Sequence, residues 1–106
     1  MKKYIIIADT QSDFTWTLGN LLTENGYDVT TCNDGLSVLN FSAKRTPDLV
    51  VINNQIPNGD GIEIIAQLKT KFPALPFVML SNSTDSAVVM EATKLGAAAF
   101  LVKPFP

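Results

Sequence analysis

The sequence predicts an α/β protein built on a doubly wound, five-stranded parallel sheet. Short apolar runs rich in β-branched residues alternate along the chain with longer stretches whose apolar residues recur at helical spacing. Glycine, proline and polar clusters separate the two kinds of segment. Strands that alternate with helices pair in parallel through right-handed crossovers. The length fits one such unit: 106 residues, 46% of them apolar, make a single domain with core enough to fold without disulfide staples.

The elements follow in order. Tyr4, Ile5, Ile6, Ile7 and Ala8 read as a buried strand. Over residues 12–25 Phe14, Leu18, Leu21 and Leu22 keep helical spacing, and Gly26 stops the helix. Residues 27–32 form the second strand. Asp34 is placed to cap a helix over residues 35–45, with Leu36, Leu39, Ser42 and Ala43 facing inward. Pro47 breaks the chain before Leu49, Val50, Val51 and Ile52, the most apolar strand. The turn residues of 57–61 lead into a helix carrying Ile64, Ile65 and Leu68, which ends before Pro73. Residues 77–80 are the fourth strand and 81–85 a polar loop. Val88, Val89, Ala92 and Leu95 mark a fourth helix stopped by Gly96, and residues 98–102 are the fifth strand.

Composition excludes several functions. Eight Lys and Arg against ten Asp and Glu leave no basic excess for a nucleic-acid backbone. No apolar run approaches the roughly 20 residues of a membrane span, and the run after Lys2 and Lys3 is cut at Asp9, too early for a signal peptide. A lone cysteine, Cys32, forms no internal disulfide and fits a reducing, cytoplasmic setting, where it reads as a small buried hydrophobe. The chain has no histidine, which removes histidine general bases and histidine metal ligands.

A parallel sheet of this kind meets its ligands at the carboxyl ends of the strands. The residues there are Ala8, Asp9 and Thr10, then Asn53 and Asn54, then Ser81 and Asn82, and finally Lys103. Together with the run 47–52, Pro57, Asp60-Gly61, Gly96-Ala97 and the closing run 100–105 (Phe-Leu-Val-Lys-Pro-Phe), this pattern resembles the phosphoacceptor receiver domain of bacterial response regulators over essentially the whole chain.

The resemblance implies a flavodoxin-like fold with strand order 2-1-3-4-5. It also implies a phosphoryl group delivered to an Asp at the end of the third strand, with Mg²⁺ held by that Asp and an acidic pair after the first. Carried over residue by residue, the phosphoacceptor position falls on Asn53 and the acidic pair on Ala8 and Asp9. The hydroxyl position falls on Ser81, the switch aromatic on Phe100 and the lysine on Lys103. Of three expected carboxylates one remains. Asp48 lies at the wrong end of its strand to replace them, and Asp60 matches a structural turn Asp. An amide nitrogen is no nucleophile toward phosphorus. Asp9 with an amide carbonyl is a poor offer to Mg²⁺, so metal binding is expected to be weak or absent, with no other cofactor. Asp9 and Lys103 cancel in charge.

The reading is therefore a two-component phosphorelay module of pseudo-receiver type. It is not an enzyme, and it works through protein–protein contacts with a histidine kinase, another response regulator or its own C-terminal output domain. Two alternatives stand beside it: a phosphorylatable receiver whose motif register is off by one residue, and a flavodoxin-like binder of a small ligand at Asp9, Thr10, Asn53, Ser81 and Lys103. Each residue also has a plainer role: Asp9 at a helix N-terminus, Asn53 as a loop amide, Ser81 as a cap, Phe100 as core. Trp16 lies about 200° around its helix from Phe14, away from the apolar stripe, and is a candidate interface residue. The surface of the fourth helix and fifth strand, around residues 86–90, is the expected output face. The family's fifth helix is missing, so residues 1–106 are expected to be a fragment whose sheet face beside the first helix is bare or covered in a homodimer. The Lys103–Pro104 bond is a candidate cis peptide.

Overall fold

Strands and helices alternate without exception in the computed structural model, which describes residues 2–82 and 85–103. The strands are β1 (Tyr4–Ala8), β2 (Asp28–Cys32), β3 (Leu49–Asn53), β4 (Phe77–Ser81) and β5 (Ala99–Val102). The helices are α1 (Ser12–Glu24), α2 (Gly35–Lys44), α3 (Gly61–Lys71) and α4 (Ser86–Lys94). All four strand pairs are parallel and the order is β2-β1-β3-β4-β5, as the resemblance implied. Ends differ from the sequence reading by a residue, and the difference matters at Asn53 and Ser81, which close their strands rather than follow them.

The alternating side chains of the central strands sort into two cores. Ile6, Ala8, Val50, Ile52, Phe77 and Met79 meet Val38 of α2, Ile64, Ile65 and Leu68 of α3 and Ala92 of α4. On the opposite face Ile5, Ile7, Val51 and Leu80 meet Phe14, Leu18 and Leu22 of α1. Leu49 and Val78 on that second face are only half-buried.

Two helix faces differ from the sequence reading. In α2, Leu36 is 55% exposed and Ala43 is exposed, while Val38 is buried in their place; Ser42 faces inward as expected. In α1, Leu21 is exposed, and the buried positions are Thr15 and Gly19. A Cβ at Gly19 would stand 3.3 Å from the Thr31 methyl, so the small residue lets α1 lie close on β2. The inward face of α1 is therefore turned toward Thr15 and Gly19, which leaves Leu21 at its margin and Trp16 70% exposed.

Aspartates cap three helices. Asp34 accepts from the Ser37 N–H at 2.7 Å, Asp60 from the Glu63 N–H at 3.1 Å and Asp85 from the Ala87 N–H at 2.9 Å. The Ser37 side chain, and then its backbone N–H, hold the Asp34 carboxyl below the usual carboxylate range. The N-cap of α4 is Asp85, four residues past the end of β4 at Ser81. The α1 N-cap, Gln11, makes no side-chain cap bond. Gly26 and Gly96, at φ 91° and 88°, end α1 and α4 in the left-handed region that glycine tolerates.

At the amino ends of the strands a polar girdle ties β1, β2 and β3 together. Asp48 accepts from the Tyr4 N–H at 2.7 Å, and the Tyr4 hydroxyl donates to Thr30 at 2.8 Å. Arg45 pairs with Asp28 at 2.9 Å, donates to the Lys2 carbonyl and lies 4.6 Å over the Tyr4 ring. Asp48 is thereby fixed at the end of β3 opposite Asn53, as the sequence places it.

Candidate functional site at the carboxyl edge of the sheet

The carboxyl ends of β1, β3 and β5 converge on one carboxylate. Asp9 directly follows β1, is 1% exposed, and takes its place because its N–H continues the sheet ladder to the Cys32 carbonyl at 3.1 Å. Its Oδ1 accepts from the Gln11 N–H at 3.0 Å, which sets the entry of α1. Its Oδ2 accepts from Lys103 Nζ at 2.5 Å and from Asn53 Nδ2 at 3.3 Å.

Asn53 is the last residue of β3 and is 2% exposed. Its Nδ2 also donates to Asn82 Oδ1 at 3.3 Å, and its Oδ1 accepts from the Gln55 N–H at 2.8 Å. Both ends of the amide are used, with the donor turned toward the carboxylate. Backbone bonds brace the same corner: Asn54 N–H to the Leu80 carbonyl and Gly61 N–H to the Asn54 carbonyl, each at 2.8 Å.

Lys103, just past β5, is fixed by its own N–H, which donates to the Ser81 carbonyl at 2.8 Å. Its ammonium reaches back over Asp9, donates also to Gln11 Oε1, and lies 4.4 Å from the centroid of the Phe14 ring. Asp9, Asn53 and Lys103 are therefore brought together as the sequence reading anticipated. Ala8 adjoins them and offers only a methyl group. Ser81 is buried at the end of β4, and Phe100 is half-buried against the larger core. Trp16 stands apart from the cleft on exposed α1 surface. Asn82, one of the strand-end positions, joins the cleft through Asn53, whereas sequence reading missed Gln11 and Phe14 as site residues. Gln11 carried one signal: it sits at a helix N-cap where Asp, Asn, Ser or Thr is favoured.

The response regulator receiver domain family matches residues 5–106. The chain belongs to that family. Among curated receiver proteins it is 32% identical over 99 residues to the DNA-binding transcriptional regulator NtrC of Klebsiella pneumoniae, covering 93% of this chain and 21% of NtrC. It is 30% identical over 105 residues to sporulation initiation phosphotransferase F of Bacillus subtilis, covering 99% of this chain and 85% of that one. The non-phosphorylated HemR receiver domain of Leptospira biflexa superposes with a TM-score of 0.92 at 27% identity, over 99% of this chain and 85% of HemR's. The chain thus spans about a fifth of NtrC and most of the phosphotransferase. It is a receiver domain of two-component systems, a family whose members include response regulators that carry output domains.

The receiver family implies Mg²⁺, and the donor set here does not suit it. Mg²⁺ takes hard, preferably anionic oxygens in an octahedron. Asp9 supplies the carboxylate, and both its oxygens are already engaged by protein donors. The Asn54 side-chain oxygen is buried without a hydrogen-bond partner, but it is an amide oxygen and brings no charge. Among the described residues no three His, Cys, Asp or Glu side chains come together as a metal cluster. The Lys103–Pro104 bond lies outside the described residues.

Cys32 ends β2 near this edge and is partly rather than fully buried. Burial, and then the Asp34 charge, push its thiol from 9.0 up to about 11. No helix among the described residues is long and apolar enough to cross a membrane.

Proposed function

We propose that this receiver domain signals without being phosphorylated and acts through protein–protein contact. The observation that carries the reading is the Asn53 amide at the tip of β3, where the receiver motif calls for the reactive carboxylate. A carboxylate can form an acyl phosphate with a phosphoryl donor, and an amide nitrogen cannot. The surrounding charge supports the same reading. Asp9 and Lys103 cancel, so the cleft has no excess negative charge that a divalent cation must settle. The chain binds Mg²⁺ weakly or not at all, needs no other cofactor, and is not an enzyme.

Its partners are a histidine kinase, another response regulator or an output domain of the same protein, in the cytoplasm. The contact surface is the α4–β5 face, where Met90 and Leu101 are exposed apolar side chains, with Trp16 of α1 as a second anchor. The test is intact-mass analysis after incubation with acetyl phosphate and Mg²⁺. The mass stays unchanged. A gain of one phosphoryl group that hydroxylamine removes overturns the reading.

A further inference from the structure

We infer that Gln11 is a positioning residue which, with Phe14, holds the Lys103 ammonium on Asp9, so that the cleft is supplied with a cation by its own chain. The meaning of this arrangement rests on the reading of a phosphorylation-independent receiver, whereas its geometry and its test do not.

Lys103 is long enough to snorkel into water, as most lysines do. Here only 9% of its side chain is accessible. The ammonium is 2.5 Å from Asp9 Oδ2, donates to Gln11 Oε1 and sits 4.4 Å from the Phe14 ring centroid. The two oxygens take two of its three N–H donors, and the aromatic face adds a cation–π contact. Gln11 and Phe14 flank the start of α1, 92 and 89 positions before Lys103 in the chain, so this cage joins the two ends of the fold.

Gln11 occupies an N-cap position and forgoes the cap bond that Asp34, Asp60 and Asp85 make at the other three helices. Its side-chain oxygen goes to Lys103 instead. The residue type matters. A carboxylate at position 11 would also accept from the ammonium, but it would leave the cleft with a net negative charge. The amide gives Lys103 a second acceptor and keeps the pair neutral.

The test is a brief acetic anhydride pulse on the native full chain, with the acetylation of each lysine mapped by mass spectrometry. Lys71 and Lys94, both exposed, are the internal references. Lys103 is modified far more slowly than either. In Gln11→Ala its rate rises about tenfold relative to the references, the size expected from losing one hydrogen bond to a charged group. In Gln11→Glu it stays protected, because the acceptor remains. Phe14→Leu keeps the apolar bulk and loses the ring face, and raises the rate by a smaller factor. Lys103 reacting as fast as Lys71 in the native chain overturns the inference. So does an unchanged Lys103 rate in Gln11→Ala with the references unaltered. A protected Lys103 in a chain that nonetheless takes up a phosphoryl group would overturn the functional reading and leave the cage standing.

Discussion

Gly61 and Asn53 touch through their backbones: a Cβ on Gly61 would fall 2.6 Å from the Asn53 carbonyl oxygen and 2.8 Å from the Asn54 Cα. The first turn of α3 therefore rests directly on the end of β3, and the bond from the Gly61 N–H to the Asn54 carbonyl locks it there. Asp60 caps the same turn. Gly61→Ala must push α3 off the strand, because the atoms it would meet are rigid main chain of Asn53 and Asn54 rather than a flexible side chain. The expected cost is roughly 2 kcal/mol, the range of overpacking in a close-packed interior. Urea unfolding checks it: the midpoint falls while the slope stays the same.

The amide at position 53 can be reversed. Ala8→Asp together with Asn53→Asp restores the acids that the receiver motif calls for. The double variant is expected to take up a phosphoryl group from acetyl phosphate only when Mg²⁺ is present, read by phosphate-affinity electrophoresis. Asn53→Asp alone replaces a donor to Asp9 with a second negative charge. It should cost roughly 2 kcal/mol at neutral pH, the equivalent of about 1.5 pKa units between neighbouring carboxylates.

The Cys32 thiol is expected to be a poor nucleophile at ordinary pH. With its pKa at about 11, its thiolate fraction at pH 8 is ~100-fold smaller than that of a thiol at 9.0. Alkylation by iodoacetamide in the folded protein should be slow at pH 8 and climb tenfold per pH unit toward 11. The stability linkage has a definite sign. Below pH 9 the thiol is neutral in both the folded and the unfolded chain, so its contribution is fully present. Between 9 and about 11 the unfolded chain loses its proton first, and stability falls as pH rises. Comparing urea midpoints of native and Cys32→Ser protein from pH 8 to 10.5 isolates that slope.

Two neighbours on α2 should respond very unequally to truncation. Val38→Ala removes a fully buried side chain between α2 and the sheet, and is expected to cost about 2 kcal/mol. Leu36→Ala removes a larger side chain that is 55% exposed, and should change stability by less than about 0.5 kcal/mol. Equal costs would mean that α2 is rotated from the orientation described here. Thermal melting of the two variants decides between these outcomes.

Those two residues also mark where sequence reading stops. The β-branched runs at 4–8 and 49–52 announce buried parallel strands because a strand covered on both faces has no polar side to show. Strand positions and the site residues at their tips follow from that, and Asp9, Asn53 and Lys103 do meet. Helix rotation is less legible. The inward face of α1 holds Thr15 and Gly19, small or polar residues that allow close approach, and α2 turns the shorter Val38 inward beside Ser42, which the sequence places correctly. A pattern of large apolar residues therefore points to Leu21 and Leu36, which sit outside. Gln11 escaped for another reason: its side chain contacts a partner 92 residues away, and local spacing carries no signal for so distant a hydrogen bond.

The buried ion pair imposes a temporal order on biogenesis. Asp9 leaves the ribosome 94 residues ahead of the ammonium that neutralises it. Throughout that interval the nascent chain must keep Asp9 hydrated, since an uncompensated charge cannot be entombed. The first crossover can begin to assemble early, but the corner where β1 meets α1 stays wet until the final strand docks. Sealing that corner thus waits for β5, and it couples the first strand of the fold to the fifth.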